Sequence, residues 1–328
     1  MQPAQFFSSA NVLIVAGKGG VGKTVAAATI ATAAAHADLN VLLVEVGGRS
    51  ASAPMFGAEP QGYEEATVVH EAGPNGSGSI TLRSITPDEA LVEWLATHGF
   101  NRLVGRLASS GILEIVATAT PGIKDLLILG RIKALVDEAR FDLIVVDAPA
   151  AGHAIGFLRS PRGVRDVART GVLHRQAVEV LDLIGDPERC QVMLVTIPEE
   201  TPINELIETS FAVEDELDVR LGPVVVNQVL PTITGLDQSL PALELSAPEL
   251  SAPELSADDR DALQTAAMFR SGRTNLQTEQ LERLGELLPL AQIRLPQLFG
   301  TEIGPDEIDE LAARLAQQID ALPEEAGA

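Results

Sequence analysis

The chain has 328 residues, with 46 % hydrophobic and only 3 % aromatic side chains. That is the composition of a folded protein with a core of Val, Leu, Ile and Ala, in one large α/β domain or two small ones. A formal charge of −23 argues against a nucleic-acid or anionic-membrane surface, since both reward positive charge. The single cysteine, Cys190, excludes an intramolecular disulfide framework and any multi-cysteine metal site made by one chain. No apolar run is long enough to span a bilayer and residues 1–10 carry no signal-peptide pattern. A cytoplasmic address, with no membrane insertion and no nucleic acid partner, is expected.

Residues 11–16 form an apolar, β-branched run that predicts a buried strand. Directly after it, Gly17-Lys18-Gly19-Gly20-Val21-Gly22-Lys23-Thr24 fills the pattern G-x-x-x-x-G-K-[ST], and the alanine-rich residues 25–37 predict a helix. In that order, backbone N–H groups of a glycine-rich turn converge on a polyphosphate while the helix aims its positive end at it. Gly17 to Thr24, with Val25, is therefore the expected nucleotide cradle. Lys23 is expected to reach the β- and γ-phosphates and the Thr24 hydroxyl to bind Mg²⁺, so a nucleotide with Mg²⁺ is the expected cofactor pair.

Residues 40–46 (NVLLVEV) predict a second buried strand, completing a β-α-β unit. Residues 47–62 are loop-like, and residues 77–85 predict a hairpin or edge strand led in by GPNGSG. Helices are predicted over 87–99, 101–107 and 123–139, with Trp94 on an apolar face. Residues 141–147 (FDLIVVD) predict a third buried strand ending in Asp147, a carboxylate placed beside the phosphate loop to hold the Mg²⁺ shell. The continuation Asp147-Ala148-Pro149-Ala150-Ala151-Gly152-His153 suits a loop that changes shape with the γ-phosphate.

Arg159, Arg162, Arg165, Arg169 and Arg175 make the only basic stretch. Their spacing predicts most of them on one face of a helix after Pro161, either solvated or set against an acidic partner. Residues 191–197 predict a strand, Thr201-Pro202 a capped helix start, and residues 221–229 an apolar run ending Val226-Asn227-Gln228. An asparagine there can both donate to and accept from an adenine edge. Residues 245–255 repeat S-A-P-E-L, and proline every fifth residue prevents a continuous helix, so 231–258 reads as a flexible loop. Helices over 259–270 and 274–288, a short strand over 291–295 and an acidic-faced helix over 305–321 close the chain.

The lysine directly after the first glycine of GKGGVGKT resembles the deviant phosphate loop of partitioning and positioning ATPases, nitrogenase reductase and the arsenite-pump ATPase. With the D-A-P-x-x-G-H segment, VNQ at 226–228 and the late loop at Pro296, the chain resembles one branch of that class. This branch is the family of the arsenite-pump and tail-anchored-protein-targeting ATPases, in particular its short bacterial members. The likeness covers nearly the whole chain apart from the S-A-P-E-L segment. It implies an α/β P-loop NTPase fold, a mostly parallel sheet flanked by helices, and makes the expected nucleotide ATP. One ATPase domain spans 9–328, with 86–139 and 155–188 as a helical subdomain over the nucleotide edge.

The resemblance further implies a dimer closed by ATP, made of two copies or of this chain with a related ATPase subunit, that handles a protein client. By matching position, Lys18 crosses to the partner's phosphates, Thr24 binds Mg²⁺, Asp147 stands behind the ion, and Asn227 reads adenine. Pro296, Gln297 and Leu298 line the adenine side. Catalysis falls to Lys18, Lys23 and Asp147, with Glu45 a candidate to orient water.

The chain departs from the family pattern at four places. The C-x-x-C that closes the targeting dimer with zinc, the metalloid-sensing cysteines and the methionine-rich client groove have no counterpart among one cysteine and four methionines. At the strand end of the first switch, where the family has S-T-D-P-A-H, this chain reads Glu45-Val46-Gly47-Gly48-Arg49-Ser50. Gly47 takes the place of the water-positioning aspartate, so slow hydrolysis, or a regulatory role within a heterodimer, is expected. A positioning ATPase is the remaining alternative, opposed by the acidic charge.

Overall fold

The computed structural model describes residues 1–48, 50–97, 122–233, 256–300 and 302–323. At its centre β1 (Val12–Gly17) lies between β5 (Leu143–Ala150) and β6 (Cys190–Thr196) in an eight-stranded sheet. Beyond β5 come β2 (Asn40–Val46), β4 (Gly78–Ile85) and β3 (Ala66–Ala72); beyond β6 come β7 (Val224–Val229) and β8 (Gln292–Pro296). All pairings are parallel except β3 with β4. β1 and β6 bury every residue, as strands covered on both faces must.

Strand alternation divides the core in two. Val12, Ile14, Leu42, Val44, Ile144 and Val146 face α3 (Pro87–Thr97), α4 (Ile123–Asp137), α5 (Ala151–Val167), α6 (Val172–Ile184) and α7 (Glu200–Phe211). The C-terminal part of α8 (Ala257–Leu287) joins that layer through Leu281 and Leu284. Leu13, Val15, Val41, Leu43 and Val145 face α1 (Pro3–Phe7), α2 (Lys23–His36) and α9 (Pro305–Asp320). Residues 26–35 of α2 are all buried; side chains this small let the helix lie close to both the sheet and α9.

The P-loop α/β architecture agrees with the sequence reading, and several local expectations change. Residues 78–85 are the second strand of a hairpin with β3, as one of the two expectations had it, and an interior strand rather than an edge, because β3 pairs outside them. β5 runs past Asp147 to Ala150 and passes directly into α5, so the segment expected as a loop is strand and helix backbone. α5 begins before Pro161 and contains it.

Three of the five arginines of the basic stretch bond within the chain, while Arg169 and Arg175 are exposed. Arg159 pairs with Glu216, Arg162 donates to the Glu216 and Leu217 carbonyls, and Arg165 bonds Asp166. α7 starts at Glu200 without a side-chain cap, so Thr201 lies inside its first turn. The two helices expected near the C-terminus are one 31-residue helix, α8, started by a Ser256–Asp259 capping box. The helices within 86–139 and 155–188 share one apolar cluster with the sheet. Residues 101–107 and the S-A-P-E-L repeat lie outside the described residues.

Candidate nucleotide-binding site

The phosphate loop grows out of the central strand. A Cβ on Gly17 would collide with the Val195 carbonyl of β6, so only glycine lets the chain leave the sheet this close to its neighbour. Gly20 and Gly22 hold φ of +87° and +85°, which side chains resist. Gly22 is the N-cap of α2, leaving the first-turn N–H groups of a buried helix at the loop. Gly19 and Gly20 are exposed on the open side, while Val21 is buried and pins the loop from below. Val25, half-buried, packs against the α2-side core.

Inside the loop the Lys23 ammonium donates to the Lys18 carbonyl at 3.0 Å. Burial lowers the pKa of Lys23, and the nearby Asp147 charge works the other way. The Thr24 hydroxyl donates to Asp147 Oδ2 at 2.6 Å, while Asp147 Oδ1 is buried with no partner among the described residues. Burial pushes the Asp147 carboxyl up to about 6; the Thr24 bond and Lys23 charge oppose this and the Glu45 charge adds to it. A glycine cradle closed to side chains, a helix start and an unsatisfied carboxylate oxygen beside a hydroxyl fit a polyphosphate with a hard divalent cation.

Glu45 is the in-register neighbour of Asp147 across β2 and β5. Its side chain is buried and turns to the following loop, where Oε1 accepts from Ser52 N at 2.9 Å. Burial raises its pKa, and the Ser52 and Ala51 amides partly offset that. Glu45 is thus occupied in holding residues 51–52. Gly47 has φ of +104° with open space where a Cβ would sit.

Asn227 lies beneath the loop, 5 % exposed, its Nδ2 donating to the Val21 carbonyl at 3.0 Å and its Oδ1 accepting from Gln228 N at 2.9 Å. One N–H and one acceptor position of the amide expected to read adenine are thus used within the chain, tying the end of β7 to the cradle. A Cβ on Gly22 would strike that amide. Pro296 pairs with Val229, and Gln297 N donates to the Val229 carbonyl at 2.9 Å. Leu298 packs on the α2-side core. Residues 296–298 therefore flank the strand end that carries Asn227.

Lys18 stands apart from this cluster. Its ammonium meets Glu205 Oε1 of α7 at 2.5 Å, both side chains being part-exposed. Glu205 was not legible as a site residue: it is one of several glutamates on α7, and only the packing of that helix beside the loop singles it out.

A family profile described as anion-transporting ATPase matches residues 10–179, which take in the loop, Glu45 and Asp147. The chain is 33 % identical over 233 residues to ATPase BagA of Mycobacterium tuberculosis, covering 68 % of this chain and 66 % of that protein. It is 25 % identical over 237 residues to a putative arsenical pump-driving ATPase of Halobacterium salinarum, covering 67 % of this chain and 35 % of that protein. It is also 25 % identical over 199 residues to ATPase get3 of Neurospora crassa, covering 60 % and 55 %. The matches thus span less than two thirds of each relative's own length. With its central strand, deviant phosphate loop and Asp147 all inside the matched region, the chain belongs to the anion-transporting ATPase family.

Proposed function

We propose that the chain is a Mg²⁺-dependent ATPase in which nucleotide draws together two related subunits, and that the closed pair handles a protein or membrane-protein client. The observation that carries this reading is the Thr24–Asp147 contact at 2.6 Å, with a free Asp147 oxygen beside a glycine cradle. Thr24 with Asp147 would hold a Mg²⁺ ion, which when bound would supply the positive charge that phosphoryl transfer to water requires. The α2 start and the loop amides are placed to bind the phosphates, with Lys23 leaving the Lys18 carbonyl to meet them. Residues 296–298 line the adenine side, and Lys18 serves the facing subunit.

Hydrolysis is slow in this reading. Orienting the attacking water needs a side chain that accepts its proton or hydrogen bond, and Gly47 offers none while Glu45 is turned to Ser52. That favours a partner, a second copy or a related subunit, that completes the site. No helix among the described residues is long and apolar enough to cross a membrane.

The test is Lys23→Ala followed by calorimetry with Mg-ATP. Affinity is expected to fall about 100-fold, the cost of a charge-assisted phosphate bond. The melting temperature is expected to stay within ~2 °C, because the ammonium meets a loop carbonyl and not the core. Affinity that survives the change rejects the assignment.

A further inference from the structure

The Lys18–Glu205 pair joins the phosphate loop to α7 across a shallow crevice floored by Leu194 and Val195 of β6. Among the described residues Glu205 is the ion-pair partner of Lys18, and Lys18 that of the Glu205 carboxylate. The backbone of Lys18 belongs to the cradle, since its carbonyl receives Lys23, while its side chain is committed to a helix outside the cradle. A lysine side chain carries one ammonium. Its three N–H donors share one place, and held against α7 of its own subunit the ammonium is directed away from the cradle, so reaching across to a facing subunit's phosphate weakens the Glu205 contact and the two engagements compete for one charge. Both partners are part-exposed, with 38 % and 40 % of their side-chain surface open. A pair this accessible exchanges readily and is a weak tie rather than a structural rivet.

We propose that Glu205 is a latch that holds Lys18 within its own subunit, and that nucleotide-driven closure proceeds by exchanging this carboxylate for the phosphates of the facing subunit. The inference rests on the closure described under Proposed function and adds its regulation. Glu205 is a positioning residue. It sets how much nucleotide is needed for association by taxing the state in which Lys18 is free.

The latch is tested by sedimentation of the full chain titrated with Mg-ATPγS, alone and with any co-purifying related subunit. Wild type, Glu205→Gln, Lys18→Ala and the double variant are compared. Glu205→Gln keeps the shape and removes the charge, and is expected to lower the half-saturating nucleotide for association about two- to five-fold, the range for an exposed pair. In the Lys18→Ala background the same change is expected to have no effect, because there is nothing left to hold. A general structural role for Glu205 would shift both backgrounds alike, and that result overturns the latch. Association that depends on nucleotide but ignores Glu205→Gln also overturns it and leaves the closure standing. A wild-type chain that stays monomeric throughout overturns the closure, and the latch with it.

Discussion

Glu45 and Asp147 stand side by side, in register on neighbouring parallel strands, and each is bonded to a different loop. Asp147 is tied to Thr24 of the phosphate loop and Glu45 to Ser52 of the loop that follows β2. Parallel neighbours lie ~4.8 Å apart, so these two carboxyls feel each other's charge. The sheet end thereby couples the cradle to the segment that carries Gly47.

Glu45→Gln tests the cost of that arrangement. Burial raises the folded pKa of Glu45 above its unfolded value, so the native state holds a proton that the unfolded chain has lost. Its contribution to stability is therefore full below the unfolded pKa and lost as pH rises through the folded pKa. Glutamine keeps the acceptor for Ser52 N without the charge. The melting temperature of Glu45→Gln minus that of wild type is expected to grow by ~2–4 °C between pH 4 and pH 8. Thermal melts across that range check it, and an opposite trend would mean that the amides stabilise an ionised Glu45.

Gly47→Asp asks whether the missing family aspartate can be restored. The open space around Gly47 would accept a side chain, but its φ of +104° resists one. The change is expected to cost about 1–3 kcal/mol of stability and to leave the turnover rate no higher than wild type. Melting curves and single-turnover hydrolysis report the two effects separately.

Asn227→Ala separates a brace from a base reader. Removing the amide leaves the buried Val21 carbonyl without its donor, a loss of about 1–3 kcal/mol at the loop. Affinity for ATP and for GTP is expected to fall by the same factor, ~5–10-fold, in parallel calorimetric titrations. A loss confined to ATP would assign Asn227 to adenine.

Cys190 is fully buried, and burial pushes its thiol up to about 12. Thiolate, the reactive form, is thus scarce at working pH and shielded as well. A disulfide reagent at pH 8 is expected to label the native chain only at the rate of unfolding, with full labelling in denaturant. Rapid labelling of the native protein would place β6 in an opening segment.

How much was legible depended on whether the chemistry was local. The strand–glycine turn–helix around Lys23 could be read because each step lies within neighbouring residues. The Thr24–Asp147 contact could be anticipated because a carboxylate at a strand end has few places to go. Asn227 under Val21 and Glu205 beside Lys18 join residues 206 and 187 positions apart, and no spacing announces them. β3 was missed because register irregularities at 67–69 and 69–72 break the period-two alternation by which a strand is read. α1 was missed because five residues carry too little periodicity, although Phe6 and Phe7 are buried edge to face at 5.2 Å.

The long α8 has a consequence for motion. Its buried residues, Gln277, Leu281 and Leu284, all fall in its last eleven positions, and the preceding turns lie largely in solvent with Leu263, Met268 and Phe269 exposed. Among the described residues this stretch is held by its own hydrogen bonds, by the Ser256 cap and by a few surface ties, Arg270 to the Pro231 carbonyl and the Phe299 ring and Arg273 to Glu199. Amide exchange along α8 should form a gradient, fast near Ala257 and slowing towards Leu284, so that a single helix spans the range from local fraying to global unfolding. Gln277 marks the transition: its side chain accepts from Leu230 N and donates to the Gln228 carbonyl, fastening the slow half of the helix to the strand that braces the phosphate loop.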